Sequence, residues 1–339
     1  MSRHPTPPAP SATAPHPTPR RTRSPLPLRV GTRASPLALT QTRLFMAQLT
    51  RFCPVLHAAE AFEEHAITTS GDRVQDRSLA DIGGKGLFAK EIHDALADGR
   101  VDFAVHSLKD LETDLPEGIV LACCMTREDA RDALVLGPRC GVPDPADPFS
   151  AIPQGATIGT ASVRRAAQLL HLRPDLRPVL LRGNVATRIA KVRAGDVDAT
   201  FLAYAGLRRL GLEAEAALVL DPATMVPAAG QGIVGVTVRA ADTELHDLLS
   251  GIEDPVAAAV SQAERAMLAA LDGSCRTPIG GHAEIVADGS LRLVGLVARA
   301  DGTFMLRREI AGAPADAELL GQSLGDSLRR DSPADIFLP

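Results

Sequence analysis

One piece of chain grammar is written twice, and it constrains the fold more than any single motif does. Leu28-Arg29-Val30 reads as a short strand, Gly31-Thr32 follows as a tight turn, and Ser35-Pro36 supplies a helix N-cap and a helix-starting proline. Ala38, Thr42, Phe45 and Leu49 then recur at helical spacing. The same order returns at Ala156-Thr157-Ile158, Gly159-Thr160 and Ser162, which opens a helix through Leu170. A second echo links residues 97–111 (ADGRVDFAVHSLKDL) to 193–207 (RAGDVDATFLAYAGL): helix end, Gly-x-Val-Asp or its near match, buried strand, turn. Together these imply two similar α/β halves, each with a mainly parallel sheet. In such sheets ligands sit beyond the carboxyl ends of the strands. Both Gly-Thr turns and the HSLKD turn lie at that edge, so a cleft between the halves, lined by helix N-termini, is the expected site.

The remaining chain divides around this core. Residues 137–155 are rich in Pro and Gly and read as loop, and 226–232 (VPAAGQG) reads as a crossing between the halves. After Asp254-Pro255 a helix near 256–271 leads into LDGSCRTPIGG, strands at 283–287, 291–298 and 303–310, and a helix near 315–329. The expected organisation is a Pro-rich extension over 1–27, a first domain over 28–125 plus 233–250, a second over 131–226, and a small α+β third over 255–339. The extension holds nine prolines and no acidic residue, and is expected to be a disordered tail outside the fold. That much proline prevents the amphipathic helix of a transit peptide.

Composition excludes several functions. With 339 residues, two or three domains are expected; net charge is −5, and there is one Tyr and no Trp. Neither a basic footprint nor stacking aromatics are present for nucleic acid. No apolar run reaches the length of about 18 residues that a membrane span requires. The five cysteines form no CxxC pair, and their odd number suits a reducing, cytoplasmic compartment.

The residues that could carry chemistry cluster at the expected sheet edge. Arg33 follows the first Gly-Thr turn, Arg164 and Arg165 open the helix after the second, Arg182 ends the PVLL strand, and Arg188 lies in the next helix. Helix N-termini favour anions, and arginine adds a bidentate fork for carboxylate or phosphate. The set points to a polyanion site without choosing between those groups. HSLKD (106–110) places Ser107, Lys109 and Asp110 at a strand end, where a carboxylate near cations stays ionised and can stabilise a developing cation or shuttle a proton. GGKGLFAKE (83–91) is a Gly-rich loop with Lys85 and Lys90, but its spacing is not that of a phosphate-binding Walker A loop. Cys275 lies in a turn beside Arg276, which would favour its thiolate. No His or Asn pattern marks it as a hydrolase nucleophile, and its local chemistry alone reads as a structural or incidental cysteine. A non-enzymatic polycarboxylate binder and a cysteine-dependent transferase of other chemistry fit the cleft as well.

Eleven stretches in order bring a family into view: GTRASPLAL, TSGD, GGKGLFAKE, AVHSLKD, REDARDA, GTASVRR, LRGNVATR, LAYAGLRRLG, PAAGQG, AERAML and GSCRTPIG. In these motifs, over about residues 28–325, the chain resembles porphobilinogen deaminases. The resemblance implies two α/β domains like periplasmic binding proteins flanking a cleft, plus a small C-terminal α+β domain. It implies a transferase, acting as a monomer, that joins four porphobilinogen molecules head to tail, with loss of ammonia, into linear hydroxymethylbilane. The implied primer is a dipyrromethane cofactor on a thioether to Cys275. Asp110 takes the catalytic role by the same resemblance. Lys109, Ser35, Thr160, Ser162, Arg164, Arg165 and Arg188 are implied to hold the cofactor, and Arg33, Arg182, Lys85, Gln41 and Gln231 the substrate. Three positions depart from the family pattern: Asp81 replaces a frequent lysine, Leu111-Glu112 replaces Val-Pro, and Ala161-Ser162-Val163 replaces Ser-Ser-Leu. Asp81 weakens a two-lysine substrate site; the other two leave the charged groups intact.

Overall fold

The computed structural model describes residues 26–58, 60–74, 86–272 and 277–337. The Pro-rich segment 1–25, the loop 75–85 with Asp81 and Lys85, and the turn 273–276 with Cys275 lie outside the described residues.

Four strands come first: β1 (Leu28–Arg33), β2 (Phe62–Ile67), β3 (Phe103–Ser107) and β4 (Ile119–Cys124). The chain then crosses to a second sheet made of β5 (Asp132–Leu136), β6 (Thr157–Gly159), β7 (Arg177–Val179), β8 (Ala199–Ala203) and β9 (Leu218–Val219). It returns as β10 (Val234–Arg239), which inserts between β3 and β4. The two sheets have matching orders, β2-β1-β3-β10-β4 and β7-β6-β8-β5-β9. In each, four strands run in one direction, and the strand contributed by a crossing, β10 or β5, runs antiparallel between two of them. The internal echo therefore marks real equivalents, β3 and β8, and each mainly parallel sheet carries one antiparallel strand.

Both Gly-Thr pairs differ from the expected turns. Gly31-Thr32 lies inside β1, in register with His65 and Ala66 of β2, and Gly159 closes β6. Gly159 is required by packing: a Cβ there would sit 2.6 Å from the Leu181 side chain. The helices begin where expected. Ser35 caps Pro36–Phe52 by accepting from the Ala38 N–H, and Ser162 caps Val163–Leu172 by accepting from the Arg165 N–H.

Phe45, Leu49, Val30, Phe103, Val105 and Val236 form the core on one face of the first sheet. The second sheet has a core on each face, one around Leu134, Ile158 and Phe201, the other around Val135, Ile189 and Leu202. β11 (Ile279–Ile285), β12 (Leu291–Ala298) and β13 (Met305–Gly312) form an antiparallel third sheet, covered by helices Pro255–Ala270 and Ala317–Asp331. The fold is thus two α/β domains flanking a cleft plus a small α+β domain. Leu108 and Ile233 of the first domain are buried in the same cluster as Met267 and Leu324 of the third, so the turn after β3 rests on that domain. Among the described residues, no helix is long and apolar enough to cross a membrane.

Candidate active site

The cleft is bounded by the carboxyl ends of β1 and β3 on one side and of β6 and β8 on the other, with the two crossings between them. After β3 the chain turns through the 3-10 segment Leu108–Asp110. His106 anchors this turn from beneath, its Nε2 lying 3.0 Å from Thr237 Oγ1 on β10; burial, with His93 and Arg33 nearby, pushes the ring down to about 3, so it is neutral. Asp110 Oδ2 accepts from Arg33 Nη1 at 3.2 Å. Arg33 also forks onto Asp72, Nη2 to Oδ1 at 2.5 Å and Nε to Oδ2 at 3.4 Å, and lies over the Phe88 ring at 4.1 Å from its centroid. Burial alone would raise the Asp72 carboxyl, but Arg33 outweighs it and holds the group below its ordinary value.

The opposite wall carries the other arginines. Arg164 and Arg165, in the first turn of Val163–Leu172, are both buried, and both reach Asp132 at the start of β5, at 2.8 and 2.7 Å. Arg165 also donates to the Phe201 carbonyl at 2.8 Å, and Arg164 to that of Val226 at 2.5 Å. Burial would raise the Asp132 carboxyl; the two guanidiniums overcome it and hold the group well below the usual carboxylate range. Arg188, in helix Val185–Ala194, donates through Nε to the Gly183 carbonyl at 2.8 Å. Burial, with Arg165 and Arg182 adding repulsion, pushes its guanidinium down to about 10. Arg33 and Asp110 act on the same group, so this helix faces the first domain across the cleft. Arg182 spans the cleft, donating to the carbonyls of Gly71 and Val74 at 2.7 and 3.1 Å.

The crossings form the floor. Gly230, in the second, has φ +73°, and a Cβ there would lie 3.1 Å from the Lys109 backbone nitrogen, so only glycine allows this approach to the turn. Gln231 is fully buried, and its Oε1 accepts from Lys109 Nζ at 3.1 Å. Its Nε2 donates to the Ala130 carbonyl at 2.6 Å and to Asp132 Oδ1 at 2.8 Å. Arg127, in the first crossing, donates to the Gln231 carbonyl at 2.9 Å and pairs with the fully buried Glu264 at 2.6 Å. Glu264 also accepts from the N–H groups of Gly230 and Ala283, each at 2.6 Å, tying both crossings to the third domain.

The structure thus brings Arg33, Lys109, Asp110, Arg164, Arg165, Arg182, Arg188 and Gln231 into one region. Ser35 and Ser162 sit at its rim as helix caps, and Thr160 Oγ1 accepts from the Ser162 N–H at 3.1 Å. Gln41 is buried one layer down, where its Oε1 accepts from Ser107 Oγ at 3.0 Å. Lys85 and Cys275 lie outside the described residues. Sequence reasoning assigned no role to Asp132, Asp72, Phe88 or Glu264. For Asp132 a signal existed: a carboxylate heading the apolar run ALVL is a buried charge that needs partners.

The chemistry of the donor set fits a polycarboxylate. Six cationic side chains (Arg33, Lys109, Arg164, Arg165, Arg182, Arg188) meet three carboxylates (Asp72, Asp110, Asp132). Buried Arg165 Nε has no hydrogen-bond partner. A dipyrromethane, which carries acetate and propionate groups, matches this surplus of cations.

Comparison with known proteins agrees. Residues 28–247 match the model described as "Porphobilinogen deaminase, dipyromethane cofactor binding domain", and residues 258–330 match "Porphobilinogen deaminase, C-terminal domain". The porphobilinogen deaminase of Paracoccus denitrificans is 47% identical over 311 residues, covering 92% of this chain and 96% of that protein. That of Nitrobacter winogradskyi is 45% identical over 308 residues, covering 91% and 94%. A solved VFT2 domain of Bordetella pertussis BvgS overlays at 15% identity and TM-score 0.38, covering 70% of this chain and 91% of that one; an overlap that low leaves the topology above to define the fold. The chain belongs to the porphobilinogen deaminase family.

Proposed function

We propose that this cleft carries out the family's reaction through Asp110, with the arginines of both walls binding the carboxylates of substrate and growing product. The observation that carries the reading is the Asp110–Arg33 pair at 3.2 Å inside a region where cations outnumber carboxylates. When bound, the dipyrromethane supplies a pyrrole carbon to which the first porphobilinogen unit is joined; Cys275 is its proposed attachment point.

This chain's own residues do the rest. Arg33 occupies one oxygen of Asp110 and fixes the carboxylate at the end of β3. As ammonia leaves porphobilinogen, the Asp110 carboxylate stabilises the positive charge that develops on the substrate pyrrole. Each unit joined adds two carboxylates, and Arg164, Arg165, Arg188 and Arg182 are the groups that neutralise them, with Ser35, Thr160 and Ser162 at the rim. Holding the product until it is complete makes each addition effectively intramolecular.

We read the working domains as 28–125 with 233–250, 131–226 and 255–339, and the enzyme as a cytoplasmic monomer. The four described cysteines are free thiols, which suits a reducing compartment. Intact-mass measurement of protein purified from cells that make porphobilinogen tests the function: the expected mass exceeds the sequence by one dipyrromethane, localised to the peptide containing Cys275. An unmodified mass with a freely titrating Cys275 overturns it.

A further inference from the structure

Glu112 stands two residues beyond Asp110, in place of the proline of the family pattern. Its backbone is fixed, because Arg265 Nη2 of helix Pro255–Ala270 donates to the carbonyls of Glu112 and Thr113 at 2.7 and 2.9 Å. Its carboxylate packs on Gly86: a Cβ there would sit 1.7 Å from Glu112 Oε1. The other oxygen, Oε2, is buried with no hydrogen-bond partner. Gly86, at φ +79°, opens the turn before helix Lys90–Ala97, its carbonyl accepting from the N–H groups of Ala89 and Lys90 at 2.9 and 2.8 Å. His93 of that helix is 2% exposed, and neither of its ring nitrogens has a hydrogen-bond partner. We propose that His93 and Glu112 are a positioning pair: a proton taken up by His93 draws the Glu112 carboxylate off Gly86 and loosens the turn 86–89, which braces Arg33 and, through it, Asp110. Asp110's part in that chain rests on the function proposed above.

Three observations carry this. First, a buried imidazole and a neighbouring carboxylate each have an unsatisfied atom, and buried polar groups in folded proteins are ordinarily bonded. The bond this pair can make is the one between imidazolium and carboxylate. Second, with its carbonyl and the next one held by Arg265, Glu112 can reach His93 only by moving its side chain, and that side chain is what fills the space over Gly86. Third, the turn it packs on is tied to the site. Leu87 accepts from the Gly71 N–H at 2.9 Å, and the Phe88 ring lies 4.1 Å from the guanidinium carbon of Arg33, which holds both Asp72 and Asp110. Neither His93 nor Glu112 is among the residues assigned to cofactor or substrate.

The charges around His93 set the sign. Burial is the largest influence and pushes the ring below its ordinary value, so the neutral form fills the structure near pH 7. Glu112, then Asp94 on the same helix, favour the proton. His106 of β3 lies beneath, ring centroids 5.4 Å apart, and is neutral. Glu91 is turned to Ser70, Arg239 of β10 meets the far end of the helix at the Leu96 carbonyl, and β4 brings apolar side chains and the neutral thiols of Cys123 and Cys124. Acidification therefore protonates His93, and Glu112 is the group it recruits.

Three readouts on the cofactor-loaded protein test the pair. In histidine-labelled protein, the His93 ring, identified by its loss in His93→Gln, is expected to titrate below 6.5, and Glu112→Gln is expected to lower its midpoint by about half a pH unit or more. Hydrogen exchange of the Ala89 and Lys90 amides, corrected for its intrinsic pH dependence, is expected to quicken at least about threefold below that midpoint. That onset should move with the midpoint in Glu112→Gln and vanish in His93→Gln. The acid limb of kcat/KM for porphobilinogen is expected to follow the same midpoint. A His93 midpoint unmoved by Glu112→Gln, or wild-type amides whose protection does not change across it, overturns the pair, and the second of these needs no variant to fold. An acid limb indifferent to both substitutions overturns its link to Asp110. The first two readouts do not use turnover, so wild-type protein that consumes no porphobilinogen would overturn the proposed function separately.

Discussion

The two α/β halves share a strand order but present different chemistry at equivalent strand ends. β3 ends in Ser107 and turns through Leu108, Lys109 and Asp110; β8 ends in Ala203 and continues through Tyr204, Ala205 and Gly206. The charged pair of one half is replaced by small or apolar residues in the other. The second half presents its arginines instead from the helices that follow β6 and β7, and Asp132 at the start of β5 holds two of them. One scaffold repeated thus separates two tasks. On the proposed function, the first half places a carboxylate where positive charge would develop, and the second gathers cations where negative charge would accumulate.

The largest expected effect breaks the second half. Asp132→Asn leaves Arg164 and Arg165 buried without their counter-charge, and a lost partner of this kind costs about 3–5 kcal/mol of unfolding free energy. Urea denaturation at pH 7 checks it. The sign of the pH effect follows from the direction of the shift. Asp132 is held below its ordinary value, so its contribution is present above the unfolded-state value of about 4 and is lost as pH falls through the folded one. The wild type is therefore expected to lose more stability than Asp132→Asn on acidification. Equal losses would show that Asp132 is not a net stabilising partner.

A change in the first half should spare stability and remove chemistry. Asp110→Asn is expected to keep its covalent mass and its unfolding midpoint while turnover falls on the order of 10²–10³-fold, the range for loss of one electrostatic stabiliser. Turnover within threefold of the wild type would move the chemistry elsewhere in the cleft. The smallest effect lies within the first half. Phe88→Leu removes the ring beneath Arg33, a contact worth about 0.5–1 kcal/mol at a partly exposed site, so KM for porphobilinogen is expected to rise two- to fivefold, roughly that energy, with kcat little changed. A change confined to kcat would show that Phe88 acts through Asp110.

Much of this was legible in the sequence. The repeated strand-to-helix grammar located both halves, and Ser35 and Ser162 marked helix starts because a cap is a local property. The Gly-Thr pairs misled as turns because Gly159 is set by the approach of Leu181, a residue 22 positions away that no local pattern shows. The antiparallel strands β5 and β10 escaped for a related reason, since their pairing depends on where a distant crossing returns. Arginines could be placed at the cleft from strand ends alone. That Arg164 and Arg165 would be buried on a shared carboxylate could not, because Asp132 lies more than thirty residues earlier and meets them only when β5 joins the sheet.

The insertion of β10 also orders the birth of the molecule. During synthesis β1 to β4 emerge first, yet β4 is hydrogen-bonded to the sheet only through β10, more than a hundred residues later. The second sheet is contiguous in the chain, from Asp132 to Val219, and can close as soon as it leaves the ribosome. The half with the arginine-bearing helices is therefore complete before the half that carries Asp110, and a nascent chain halted before Val234 has the proposed anion cradle without the finished sheet that positions Asp110.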